Sequence, residues 1–244
     1  LDYPGGKPEA TATAVRRNRT PAAGLRAYWS TPDLTAADSP WLIAAMSTIR
    51  NVCVYCGSGP GTDPAFVEAA RHFGKVLADR RIGLVYGGGS HGLMGAVATS
   101  VLDAHGRVTG IIPEFLTGRE QVMARAQEVI VTRDMHERKR LMFERADAFV
   151  ALPGGIGTLE ELVEQITWAQ LGRHRKPILV ANIMRFWDPL LALIDHMKAL
   201  AFIRPELAVD LIVVDRVEDI LPRLIAAART VAEADKAAAD IERL

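Results

Sequence analysis

From Ile49 onward, short apolar runs alternate with longer stretches in which apolar residues return every three or four positions. The first pattern predicts buried strands and the second amphipathic helices. Strands are expected at Asn51 to Cys56, Ile82 to Tyr86, Val108 to Ile112, Glu128 to Thr132, Phe149 to Leu152, Pro177 to Ala181 and Leu211 to Val214. Pro113 should stop the third, because proline cannot donate to a sheet ladder. Asp63 and Pro64 suit the cap and first turn of a helix reaching about Arg80. Further helices are expected over Leu93 to His105 and about Met135 to Ala146, then from Thr158, from Asp188-Pro189 and from about Val217. The one at Thr158 carries Leu159, Leu162, Val163 and Ile166 on a single stripe, and the one at Asp188 carries Leu190, Leu191, Ile194 and Met197. This alternation predicts an α/β fold: a single domain built on one doubly wound, mostly parallel sheet with helices on both faces.

Before Ile49 the pattern vanishes. Pro, Ala, Thr and Arg dominate, and Arg16, Arg17 and Arg19 form a small basic cluster. Such a stretch buries too little apolar surface to offset the entropy of ordering it. Residues 1–48 are therefore expected to be a poorly ordered extension, with Met46 a possible natural start. The folded domain is expected over 49–231 and a helical tail over 232–244.

Composition removes several classes of partner. Lys+Arg and Asp+Glu both number 29 and aromatics are 6%, so neither a basic surface nor a set of stacking platforms is present. No nucleic-acid or membrane partner is expected. No apolar segment approaches the roughly 20 residues of a membrane span, and no cleavable leader pattern opens the chain, so a cytoplasmic address is expected. Cys53 and Cys56 are spaced as a redox pair, but both fall in the apolar run of the first strand. That context suits small buried hydrophobes, and no paired Cys or His motif completes a metal site.

Three of the expected strand-to-helix turns are rich in glycine: 57–61, 87–92 and 153–157. In a parallel sheet such turns share the carboxyl edge, where ligands bind. The last turn reads Pro153-Gly154-Gly155-Ile156-Gly157-Thr158-Leu159-Glu160-Glu161. Free N–H groups and the positive end of a helix starting at Thr158 would favour an anion, most naturally a phosphate. The structural alternative is a tight turn capped by Thr158, with Glu161 closing a Thr-x-x-Glu capping box. Gly87-x-Gly89-x-x-Gly92, with Glu114 farther on, matches a dinucleotide fingerprint, although it follows the second strand rather than the first. Met135-His136-Glu137-Arg138-Lys139-Arg140 is either a solvated basic face or a source of phosphate-binding cations. Arg138 offers a planar donor fork, and Lys139 a point charge.

These motifs carry a resemblance. Gly87-Gly88-Gly89-Ser90-His91-Gly92-Leu93-Met94-Gly95, Met135-His136-Glu137-Arg138-Lys139 and the Pro153 to Glu161 run resemble the LOG ("Lonely guy") family. The family consists of phosphoribohydrolases that release a cytokinin base from its riboside 5'-monophosphate. The likeness runs from about Asn51 to Ala226. It departs in the first loop, where the usual Cys-Gly-Ser-Ser is Cys56-Gly57-Ser58-Gly59. The family also bears an old lysine decarboxylase label that its chemistry does not support.

The resemblance implies a Rossmann-like nucleotide-binding domain in which Arg138 and Glu161 are the catalytic pair. It seats the 5'-phosphate on the N–H groups of Gly154, Gly155, Gly157 and Thr158. Arg138 orients the nucleotide, with Lys139 a weaker candidate, and Glu114 faces the ribose hydroxyls. Ser58, Gly88, Gly89, His91 and Met94 border the pocket. It implies no metal and no cofactor, a nucleoside monophosphate as partner, and at least a homodimer. The alternatives are a general nucleoside-monophosphate glycosylase, a non-catalytic nucleotide carrier and an NAD-dependent oxidoreductase on the same fold. A pyridoxal-phosphate decarboxylase comes last, since Lys139 is the only lysine near the expected site.

Overall fold

A computed structural model describes residues 49–118 and 121–241. The extension expected over 1–48, with Met46 and the arginine cluster, lies outside the described residues. Seven parallel strands form one sheet: β1 (Asn51–Tyr55), β2 (Gly83–Tyr86), β3 (Val108–Pro113), β4 (Glu128–Thr132), β5 (Ala148–Ala151), β6 (Ile178–Ala181) and β7 (Ile212–Val214). Their order across the sheet is β4-β3-β2-β1-β5-β6-β7. The helices are α1 (Pro64–Asp79), α2 (Gly92–Asp103), α3 (Glu114–Thr117), α4 (Met135–Arg145), α5 (Ile156–Gln170), α6 (Asp188–Ala199) and α7 (Ile220–Ile241).

The period-two geometry of a strand splits the core in two. On β1, Val52 and Val54 face the layer closed by α1, α2 and α7. Cys53 and Tyr55 face the layer of Met142, Phe149, Leu162 and Trp187, to which α4 and α5 contribute. Cys53 and Cys56 therefore lie in different halves of the core, both as free, buried thiols. Burial pushes both thiols well above the ordinary range, so they stay protonated.

Most expected elements fall within two residues of their observed bounds. Asp63 caps α1 by accepting from the Ala65 N–H at 2.8 Å. β3 stops at Pro113 as expected, with the proline as its last residue, paired with Thr132 beyond the point where β2 finishes opposite Gly110. Proline is tolerated where a strand is paired on one side only. The short helix α3 was not expected. None of the 12 residues of α6 is buried, so its apolar stripe stays partly open. No helix among the described residues is long and apolar enough to cross a membrane.

Candidate active site

The strand order reverses between β1 and β5, and the loops after these two strands flank the resulting crevice. They are tied directly: the Gly57 N–H donates to the Pro153 carbonyl at 3.1 Å. The Gly57 carbonyl in turn accepts from the N–H groups of Leu93 and Met94, at 3.0 and 3.2 Å. This occupies the first turn of α2, the helix that a dinucleotide fingerprint would offer to a pyrophosphate. The N-terminus of α5 is different. Its cap is Gly155, in extended backbone with no side-chain hydrogen bond, and Gly155, Ile156 and Gly157 are exposed.

The capping-box expectation therefore fails. The helix begins two residues before Thr158, which occupies the third helical position and is buried. Its hydroxyl sits against the α-carbon of Gly154, where any Cβ would collide with it. Glu161 consequently lies in the second turn, beyond reach of the cap N–H.

Glu161 instead meets Arg138. Asp134 caps α4 by accepting from the Glu137 N–H at 2.8 Å, and the next residue, Arg138, turns into the protein. Its Nε donates to the Ile111 carbonyl at 3.1 Å, and its Nη1 lies 3.2 Å from Oε1 of Glu161. Arg138 is 7% and Glu161 8% exposed. The guanidinium occupies the space a Cβ on Gly87 would need, beside the Met94 sulfur. Desolvating two charges costs several kcal/mol per ion, so a buried pair is poorly explained as a stability device. A reactive site accounts for it better.

Beneath the pair, burial first and then the negative charge of Glu161 hold the Tyr55 phenol well above its ordinary range. One turn along α5 from Glu161, Gln165 is 0% exposed, and neither polar atom of its side chain has a partner among the described residues. Leaving such a group unpaired costs about 1–3 kcal/mol.

The remaining expected residues divide. Ser58 is exposed, and its carbonyl packs where a Cβ on Gly92 would stand. Gly88 and Gly89 are buried beneath the segment carrying Val122 and Met123: Gly89 bridges Val122, and the Met123 N–H donates to Gly88 at 3.1 Å. His91 is the exposed cap of α2, and Glu114 opens α3, exposed, at the carboxyl end of β3. An open hollow of about 610 Å³ at the start of α1, lined by Pro60, Thr62, Asp63, Val67 and Arg71 among others, contains none of the expected catalytic side chains.

The family model described as possible lysine decarboxylase matches residues 94–224. Over 159 residues the chain is 50% identical to the cytokinin riboside 5'-monophosphate phosphoribohydrolase LOG7 of Arabidopsis thaliana, covering 65% of this chain and 73% of that protein. The chain belongs to the LOG family. It is also 45% identical over 180 residues to a probable LOG4 enzyme of the same description from Oryza sativa subsp. japonica, covering 74% of this chain and 78% of that one. Among solved structures, a molybdenum cofactor binding protein from Rippkaea orientalis aligns with a TM-score of 0.56 at 20% identity. It covers 72% of this chain and 95% of its own, a likeness of fold alone.

Within this LOG chain, the lysine that the decarboxylase description brings to mind is engaged elsewhere. Lys139 Nζ lies 2.5 Å from Glu160 and 3.0 Å from Glu164, both on α5. Burial works to lower its pKa, but the hydrogen bonds and charges of the two glutamates outweigh this and hold it above the usual lysine range. It is a charged strut between helices. The glycine runs, Gly87 among them, Arg138 and Glu161 are visible as motifs in the sequence, whereas the Ile111 carbonyl, Tyr55 and Gln165 are not. For Gln165 a signal existed: a polar residue on the stripe of Leu162 and Ile166, four positions after Glu161.

Proposed function

We propose that this chain hydrolyses the N-glycosidic bond of adenine-type, N6-substituted nucleoside 5'-monophosphates, releasing the free base and ribose 5-phosphate. The observation that carries this reading is the buried Arg138–Glu161 pair, 3.2 Å apart, beside an uncapped helix N-terminus at the β1/β5 crevice. Its place in a family whose curated members are named phosphoribohydrolases supplies the reaction.

The 5'-phosphate rests on the N–H groups of Gly154, Gly155, Gly157 and Thr158, where the helix dipole favours an anion. Arg138 orients the nucleotide, Glu114 meets the ribose hydroxyls, and Ser58 and Met94 border the pocket. As the bond from the anomeric carbon to the base nitrogen lengthens, its electron pair leaves with the base and positive charge grows on the ribose. The Glu161 carboxylate stabilises that charge and takes a proton from the attacking water, whose oxygen bonds to the anomeric carbon. The base leaves with a proton from solvent. The scheme uses no metal and no cofactor.

Incubating the protein with AMP and with N6-isopentenyl-AMP, followed by chromatography, tests this. Free base is expected from both. Nucleotide that is bound but recovered intact would establish the carrier reading instead. The functional unit is proposed to be a homodimer, since Ile156, Val163 and Leu171 expose apolar surface along α5 and at its end. Light scattering should then give twice the chain mass of 26.6 kDa.

A further inference from the structure

We propose that Gln165 is a positioning residue for the Glu161 carboxylate, its side-chain amide donating to Glu161 when a bound nucleotide competes for Arg138. The inference rests on the hydrolase reading above. Residues four apart on a helix are neighbours on one face, and side chains lean toward the helix N-terminus. That spacing makes Gln165 and Glu161 neighbours on α5, one turn apart. Both residues are buried on the face of α5 that packs over β1.

The core layer around α5 is mostly apolar. The strand residues of that core layer are Cys53, Tyr55, Phe149, Ile178 and Val180, and Trp187, whose indole N–H also has no partner among the described residues, belongs to the same cluster. The charged or titratable groups near the carboxylate are Arg138 from α4, Tyr55 and Cys53 from β1, Cys56 just after β1, and Glu164 on α5 itself, with Lys176 acting on Cys53 from the sheet's other end. Tyr55 and Cys53 are held neutral. The backbone at Gln165 is pinned as well: the Lys176 N–H donates to His174 Nδ1 at 3.1 Å, which leaves Nε2 to donate to the Gln165 carbonyl at 3.3 Å. A fully buried amide with both polar atoms unpartnered among the described residues is a group waiting for a partner.

The chemistry says when it finds one. Without substrate, Arg138 neutralises Glu161, yet the reaction needs that negative charge available beneath the ribose. An anionic nucleotide draws the guanidinium toward itself. A neutral amide donor then keeps the carboxylate in place without quenching its charge.

The test is Gln165→Met, which keeps length and removes hydrogen bonding. A buried, unpaired amide is lost, so Tm should stay level or rise. The kcat for base release should fall by about ten- to a hundredfold, short of the roughly 10²–10⁴ lost with a general base, and KM for AMP should change little. Without its donor Glu161 protonates more easily, so the acid limb of the kcat profile should move to higher pH. A folded variant with wild-type kcat and an unmoved acid limb overturns the inference. If the variant does not fold, Gln165→Glu decides. Protonated at acid pH it still donates, so turnover must persist there and vanish at alkaline pH, and equal loss at both overturns the inference. A wild-type chain that releases no base refutes the hydrolase reading, whereas wild-type turnover unaffected by Gln165→Met refutes only the role of Gln165.

Discussion

Glu161 changes meaning once its neighbours are known. As a capping residue it would tolerate glutamine at almost no cost, since the acceptor oxygen remains. Buried against Arg138, it leaves a guanidinium facing a neutral amide when substituted. Glu161→Gln is thus expected to lose about 1–3 kcal/mol in chemical denaturation. Base release should drop by about 10²–10⁴, because glutamine neither takes a proton nor stabilises a cation. AMP binding, measured by calorimetry, should hold or tighten, since the crevice gains net positive charge. Near-normal turnover in this variant would remove Glu161 from the chemistry.

At the scale of elements, α4 and α5 present the pair jointly, and a second contact fixes their separation. Lys139 bridges α4 to Glu160 and Glu164 on α5, immediately beside Arg138 and Glu161 in the chain. Glu160→Gln is therefore no neutral control for Glu161→Gln, although its side chain is half exposed. Lys139→Met should cost about 1 kcal/mol of stability and lower kcat through a loosened Arg138–Glu161 geometry, leaving KM for AMP nearly unchanged. A large rise in KM with kcat intact would instead place Lys139 on the nucleotide. Gly87 belongs to this scale too: it follows β2 without a side chain, and that space admits the Arg138 guanidinium from α4.

Across the whole molecule, the sheet order decides which glycine turn stays open at the switch point. The Gly57 carbonyl closes α2, and the α5 turn stays open at the switch between β1 and β5. Phosphate should accordingly dominate the anchoring. In thermal melts AMP is expected to protect strongly, by about 2.7 kcal/mol at a hundred times its Kd, and adenosine at the same concentration much less. Equal protection by both, or stronger protection by NAD, would count against a phosphate seat on α5.

Apolar periodicity from Ile49 onward determined the seven strands, the long helices and the parallel doubly wound class, because burial on one or both faces imposes that periodicity regardless of what the element packs against. The motif residues Arg138, Gly154 and Glu161 stood out as well, since only certain residue types serve an anion or a cationic transition state. Tertiary structure alone decided the relations among them. Spacing could not show that the α5 helix starts at Ile156 rather than Thr158, because the Gly57–Pro153 hydrogen bond joins segments nearly a hundred residues apart. Nor could it show that Arg138 is shared between the Ile111 carbonyl and Glu161, or that Lys139 is turned to the neighbouring helix. Pattern reads the face a residue occupies. Only the packing of one element on another supplies the partner that sets its charge, its burial and its chemistry.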